Sequence, residues 1–424
     1  MEKSWLPNTT NDAYPTPFSP KTSVNINPMK SVLLEWFPFN PWIVWPLVVL
    51  FLVFALQLYF YGGPFAGISR VARKFRKGQL PVTNEQPPVS IIVCAQDKAD
   101  DLLKHLPFLL DQDYPDYQVV VVNAASSDHT EDVLQSFESN SRLYHTFLPV
   151  GVKGVSPRKM AMTIGIKAAR YDYVLFTDPE ATPSSRLWLA AMMRQFTQGG
   201  DVVLGYAPFN REPGMAGRMV AYDNVCAAMQ YLGLALKGLA YRAHSANLAF
   251  RKDLFFSNKG FASHLFLRSG DDDLLIREIA TPTNVRVEVS TESLVSLENE
   301  SVWQTWREQL INHFTTASRY KAGVRLLLFL EGCSRTVFYL LLTYLILLTV
   351  MTAHWAWLCV AVCLFLIRWA VQAVVTVKAA SNLGERVNWL FVPLLDIILP
   401  FIKAFIRLAS RAGRGNAYTW EVLR

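Results

Sequence analysis
The chain has 424 residues, 51% of them apolar, a positive mean hydropathy and a net charge of +7. That length allows one large domain plus membrane spans, or two domains, and the hydropathy argues against an ordinary soluble enzyme. The cationic excess suits lipid headgroups and phosphates; with no nucleic-acid motif beside it, a nucleic-acid partner is not expected. Cys94, Cys226, Cys333, Cys359 and Cys363 form no C-x-x-C pair, so neither a disulfide framework nor a zinc site is expected.

Residues 1–35 form a polar tail rich in Asn, Pro, Ser and Thr, and with no apolar run beside Met1 no leader peptide is expected. Residues 36–69 carry no charge, and Trp42–Tyr61 is long enough to cross a bilayer as a helix. Arg70, Arg73, Lys74, Arg76 and Lys77 follow at once, which places the next segment in the cytoplasm and the N-terminus outside. Gly78–Pro88 reads as a linker into a domain spanning 81–324.

In that domain the β-branched run Val89–Ala95 predicts a central parallel strand, followed by a helix with apolar residues from Leu102 to Leu110. Further strands are expected at Val119–Val122, Leu143–Leu148, Tyr173–Thr177, Asp201–Tyr206 and Arg286–Val289. Helices are expected at Thr130–Phe137, Pro157–Arg170, Gly214–Leu236 and Trp303–Tyr320. The alternation predicts a mostly parallel α/β sheet covered on both faces.

Residues 336–377 hold two more spans, about 336–353 and 356–377, joined by a short turn near Ala353–Trp355. Arg368 lies within the second; it faces a partner or snorkels towards a headgroup. Residues 388–410 are apolar but contain Pro393, Asp396, Pro400, Lys403 and Arg407, and read as an interfacial or re-entrant helix ahead of a cytoplasmic tail, 411–424.

The chemistry is expected around residues 156–181, where a basic helix feeds a buried strand ending in Asp178-Pro179-Glu180. Two carboxylates at i, i+2 on a strand's carboxyl end can hold a hard divalent cation, which in turn holds a diphosphate. An ordinary acidic turn is the plainer reading. Lys153, Arg158 and Lys159 either contact phosphate or form a solvated helix face. Asp271-Asp272-Asp273 follow Gly270; adjacent carboxylates repel, so at least one pKa should rise. They would equally cap a helix over Leu274–Ile279.

The run Arg158, Ala161, Gly165, Ile166 and Ala169 ahead of Asp178-Pro179-Glu180 resembles the pattern [KR]-x-x-A-x-x-x-G-I-x-x-A followed by D-x-D of membrane-anchored family 2 glycosyltransferases. Asp113-Tyr114-Pro115-Asp116-Tyr117, Asn247-Leu248-Ala249-Phe250-Arg251-Lys252 and Ser269-Gly270-Asp271-Asp272-Asp273-Leu274 extend the resemblance over roughly Pro88–Lys321. It implies a GT-A fold, that is, a nucleotide-sugar-binding, Rossmann-like α/β domain with N- and C-terminal transmembrane helices. It also implies inverting transfer from a nucleotide-sugar, expected as a UDP-sugar, to a lipid-linked or cell-surface glycan acceptor at the inner membrane. By the same resemblance Asp178 and Glu180 take Mg2+ or Mn2+, Asp272 is the base with Asp271 beside it, and Asn123, Lys159, Gln309 and His313 serve the donor.

Several positions depart from the family. Asn123-Ala124-Ala125-Ser126 lacks the acid usual after the second strand, Asn312 replaces an Arg, and His244-Ser245 stand where small residues are usual. These departures keep a second reading open, a non-catalytic scaffold acting with partner proteins in glycan assembly. A transporter is a poor reading, since the large domain sits between too few spans.

Overall fold
A computed structural model describes residues 36–78, 85–149, 155–298 and 301–417. The tail 1–35, the expected domain start at Pro81, Lys153 and the last residues from 418 lie outside them. The first candidate span is α1, Pro41–Phe60, started by Pro41 and capped by Asn40, whose side-chain oxygen accepts from Trp42 N at 3.0 Å. A π-helical turn, Tyr61–Phe65, leads into the basic helix α2, Gly67–Arg76.

The α/β domain then alternates: β1 (Val89–Ala95), α3 (Ala99–Leu110), β2 (Tyr117–Asn123), α4 (Thr130–Ser136), β3 (Leu143–Phe147), α5 (Pro157–Ala168) and β4 (Tyr173–Thr177). Next come β5 (Ala181–Pro183), α6 (Trp188–Met193), β6 (Val202–Leu204), α7 (Gly214–Ala235), β7 (Leu248–Arg251) and α8 (Lys252–Ser257). The domain closes with α9 (Asp273–Ile279), β8 (Val285–Val287), β9 (Val295–Leu297) and α10 (Val302–Thr316). The main sheet has the order β3-β2-β1-β4-β7-β6-β8. Strands β1–β4 run parallel, as expected, but β7 is antiparallel to both β4 and β6, so the sheet is mixed. β5 and β9 form a separate antiparallel ribbon just beyond the end of β4.

Strands β1 and β2 are buried almost throughout, and two apolar cores cover the two faces of the sheet. Gly165 lets α5 lie close on one face: a Cβ there would come within 2.5 Å of Ile92 Cγ2. This close approach explains the glycine in the helix pattern, and it delivers the start of α5 to the carboxyl end of β4.

Three long helices follow: α11 (Ala322–Met351), α12 (Trp355–Asn382) and α13 (Val392–Ala417). Four helical segments, Pro41–Arg76, Ala322–Met351, Trp355–Asn382 and Trp389–Ser410, are long and apolar enough to cross a membrane. The last corresponds to the stretch expected as interfacial or re-entrant. The expected turn between the second and third falls at Thr352–His354. Helix α11 begins well before the uncharged stretch; at 1.5 Å per residue it is about 45 Å long, roughly 15 Å more than a hydrocarbon core.

The N-terminal half of α11, with Glu331 and Arg335, packs beside α7, where Gln230 donates to Glu331 at 3.0 Å. Helix α7 itself abuts the π-turn, where a Cβ at Gly233 would sit 2.7 Å from the Pro64 carbonyl oxygen. Arg368 has partners rather than snorkelling: it donates to Asp396 at 2.8 Å, Tyr339 at 2.9 Å, and Gln57 and Gln372 at 3.0 Å each.

Candidate active site
The acidic pair sits where β4 ends, with Asp178 and Glu180 both part-buried. Asp178 faces the first turn of α5. There Ser156 and Pro157 begin the helix, and Ser156 N donates to Leu265 O at 3.0 Å. That bond ties the helix start to the loop leading into Asp271–Asp273. Arg158, in the first turn, spans the gap: its Nη2 donates to Asp178 Oδ1 at 2.7 Å and its Nε to Asp271 Oδ2 at 2.7 Å. Nη2 also reaches Ser245 Oγ at 3.1 Å. One guanidinium thus joins the strand end, the residue 271 loop and the segment before β7. Glu180 faces Lys98, 3.8 Å away, and burial followed by the charge of Asp178 raises its pKa.

The three aspartates differ. Asp273 is fully buried and structural: it accepts from Tyr320 OH at 2.7 Å and from Thr316 Oγ1, and His313 Nδ1 lies 3.6 Å away. These donors hold its carboxyl below the usual range against burial. Asp272 is the N-cap of α9, accepting from Asp273 N at 2.7 Å. Burial, then the charges of Asp273 and Asp271, push its pKa well above the ordinary carboxylate range, and Arg242 opposes the rise. Gly270, at φ +94°, supplies the left-handed turn before them. The expected helix cap and the expected repulsion are therefore both present, and both fall on Asp272.

Lys159 is corrected. Its side chain is fully buried and donates to the carbonyls of His264 (2.7 Å), Ser269 (2.8 Å) and Leu267 (2.9 Å), so it braces the loop before Asp271 and offers nothing to phosphate. Helix phase is the reason: Arg158 and Lys159 are adjacent, and only one can face the cleft. Asn123 is also committed locally, its amide donating to Glu131 at 3.0 Å and its oxygen accepting from Ser126 N at 3.0 Å. Gln309 and His313 do not line the Asp178 end. They line a cavity of about 110 Å³ between this domain and the long helices, together with Arg242 and Lys403. Burial lowers the pKa of His313, and Arg242 adds to the effect.

Two contributors were not foreseen. Arg242 lies in an otherwise apolar stretch, and that isolation was the available signal. His244, noted only as a departure, is buried beside Asp178 and Arg242; burial pulls its pKa down to about 4, and its Nδ1 accepts from Ala246 N at 3.3 Å. Among the described residues no group of three or more His, Cys, Asp or Glu side chains is arranged to hold a metal.

The family described as Glycosyl transferase family 2 matches residues 90–254. Poly-beta-1,6-N-acetyl-D-glucosamine synthase of Staphylococcus epidermidis is 26% identical over 92 residues, 22% of this chain and 21% of that protein. The putative teichuronic acid biosynthesis glycosyltransferase TuaG of Bacillus subtilis is 28% identical over 99 residues, 23% of this chain and 38% of that protein. The matched stretch thus spans well under half the length of these relatives.

Among solved structures, mannosyltransferase PcManGT from Pyrobaculum calidifontis, in complex with GDP-Man and Mn2+, aligns with 79% of this chain and 98% of its own, at 18% identity and TM-score 0.46. S. aureus TarS 1-349 in complex with UDP aligns with 59% of this chain and 69% of its own, at 16% identity and TM-score 0.38. Both scores lie below 0.5, so the identification rests on the sequence match and the strand-end site. The chain carries a family 2 glycosyltransferase domain of the mixed α/β, GT-A-like kind, flanked on both sides by long apolar helices.

Proposed function
We propose that the chain transfers a sugar, with inversion, from a nucleotide-diphosphate sugar to a lipid-linked or cell-surface glycan acceptor, working on the cytoplasmic side of an inner membrane. The observation that carries this reading is the Arg158 bridge, which brings Asp178 and Asp271, 93 positions apart in sequence, onto one guanidinium. In this reading Asp272 accepts the proton of the acceptor hydroxyl. The hydroxyl oxygen bonds to the anomeric carbon as that carbon's bond to the diphosphate oxygen breaks, and the bonding pair leaves with the diphosphate. A raised proton affinity suits Asp272 to this role, because a base works best with a pKa near the working pH.

Asp178 and Glu180 fit a divalent cation shared with the donor. They offer two carboxylates from one strand end, and burial, then the charge of Asp178, raises the pKa of Glu180. The remaining positions would be filled by phosphate oxygens and water. Mg2+ or Mn2+ would supply charge neutralisation for the departing diphosphate. Arg158 supplies a second positive charge at the same end.

The domain match and the relatives in glycan synthesis support the reading, and a UDP-linked N-acetylhexosamine is the first donor to try. The test is transfer or hydrolysis of a nucleotide-sugar panel by the full chain in detergent. Asp272→Asn should cost about 10²–10⁴-fold in rate; equal rates in both proteins would remove Asp272 as the base. The scaffold reading keeps support from the engaged amide of Asn123, from Ala124 and from Asn312. It predicts no turnover with any donor and no stabilisation by nucleoside diphosphates.

A further inference from the structure
The cavity between the domain and the long helices is the least explained feature of the molecule. It lies where the π-turn Tyr61–Phe65 ends the first apolar helix and where Glu331 and Arg335 precede the uncharged part of α11. Its walls hold three cations, Arg242, Arg335 and Lys403, against two carboxylates, Asp223 and Glu331. Both carboxylates are engaged. Asp223 pairs with Lys403 and accepts from Trp306 Nε1 at 2.9 Å. Glu331 lies 3.6 Å from Arg335 and accepts from Gln230 at 3.0 Å.

Arg242 is left over. Among the described residues it makes no ion pair, its Nε is buried without a hydrogen-bond partner, and its guanidinium lies over the Tyr231 ring at 5.5 Å. His244, two residues on along an extended backbone, is buried with Nε2 unpartnered. Because its Nδ1 accepts from Ala246 N, the neutral ring carries its proton on Nε2. Two buried N–H donors therefore lack acceptors two positions apart on one segment; of the two, Arg242 lines the cavity and feels the charge of Asp272, while His244 lies outside the lining.

A buried donor without an acceptor is costly, and a guanidinium matches a tetrahedral oxyanion with paired N–H groups. We propose that Arg242 forms an anion subsite in this cavity that takes a phosphate group on the acceptor, whose hydroxyl then faces Asp272. The word acceptor rests on the transfer reading above; the anion site itself does not. The donor diphosphate is a poor occupant, because its expected partners Asp178, Glu180 and Arg158 do not line the cavity. A lipid phosphate and a soluble phosphate share the recognised chemistry.

The test titrates the full chain in detergent with a short-chain polyprenyl phosphate, with inorganic phosphate, and with UDP plus Mn2+. Wild type should bind at least one phosphate probe saturably. Arg242→Gln should weaken that binding tenfold or more and leave UDP affinity within twofold. Arg242→Lys, which keeps the charge and stem, should fall between, and it serves if the glutamine variant does not fold. Binding of the lipid probe alone assigns the site to a headgroup; binding of both assigns it to the phosphate itself. No binding of either probe, equal binding in the variants, or a loss of UDP affinity instead would overturn the proposal. Because binding is read without turnover, phosphate held through Arg242 in a chain that transfers no sugar would sink the transfer reading and keep the anion site.

Discussion

Asp271, Asp272 and Asp273 are neighbours in sequence but occupy three environments: an ion pair with Arg158, a helix cap with raised proton affinity, and a buried structural carboxylate. A base must be deprotonated to act, so transfer should fall as pH falls through the raised pKa of Asp272. The acid limb of the pH–rate profile should therefore lie well above pH 4. Asp271→Asn removes one of the charges that raise it, so the limb should move to lower pH; an unmoved limb would show that Asp272 does not set it. Lys159 gives the opposite kind of prediction. Lys159→Met strands three buried carbonyls, each worth on the order of 1–3 kcal/mol. The variant should unfold at clearly lower temperature; a loss of donor affinity with unchanged stability would restore a phosphate role. The acid motifs were legible from residue type alone. Which of Arg158 and Lys159 faces the cleft was not, since that depends on the rotation of α5 against β1 and β2.

At the scale of elements, β1, β4 and α5 were readable because unbroken β-branched runs and the Gly165 spacing leave few alternatives. The direction of β7 was not: four residues, Leu248–Arg251, hold no mark of whether they enter the sheet antiparallel. The early start of α11 was hidden for another reason. Glu331 and Arg335 look like the end of a soluble segment, yet they sit on the same helix as the candidate span, where Glu331 accepts from Gln230 of α7 and Arg335 pairs with Asp396 of α13. Asp396 shows the same logic on α13, holding both Arg368 and Arg335. Asp396→Ala leaves Arg368 buried without its counter-charge and should cost about 3–5 kcal/mol. Arg368→Leu should cost less, because Arg335 still balances Asp396. Thermal unfolding in detergent compares the two, and equal or reversed losses would contradict this description.

For the whole molecule, the proposed donor end and the cavity beside the long helices are lined by different residues. The proposed donor end is built from the end of β4, with Asp178 and Glu180, and Arg158 is paired with Asp178 there. The cavity is built from α7, α10 and the ends of the long helices, so no single stretch of sequence announces it. Binding of a diphosphate and a divalent cation should draw Arg158 from Asp178 and replace that ion pair with new ones. The most direct measurement is calorimetric titration of UDP and of GDP into the full chain with Mn2+, in wild type and Asp178→Asn. Saturable binding of at least one nucleotide that is lost with a chelator, and weakened at least tenfold in the variant, is the predicted result. Binding that ignores both Mn2+ and Asp178, or no binding of either nucleotide, would contradict it.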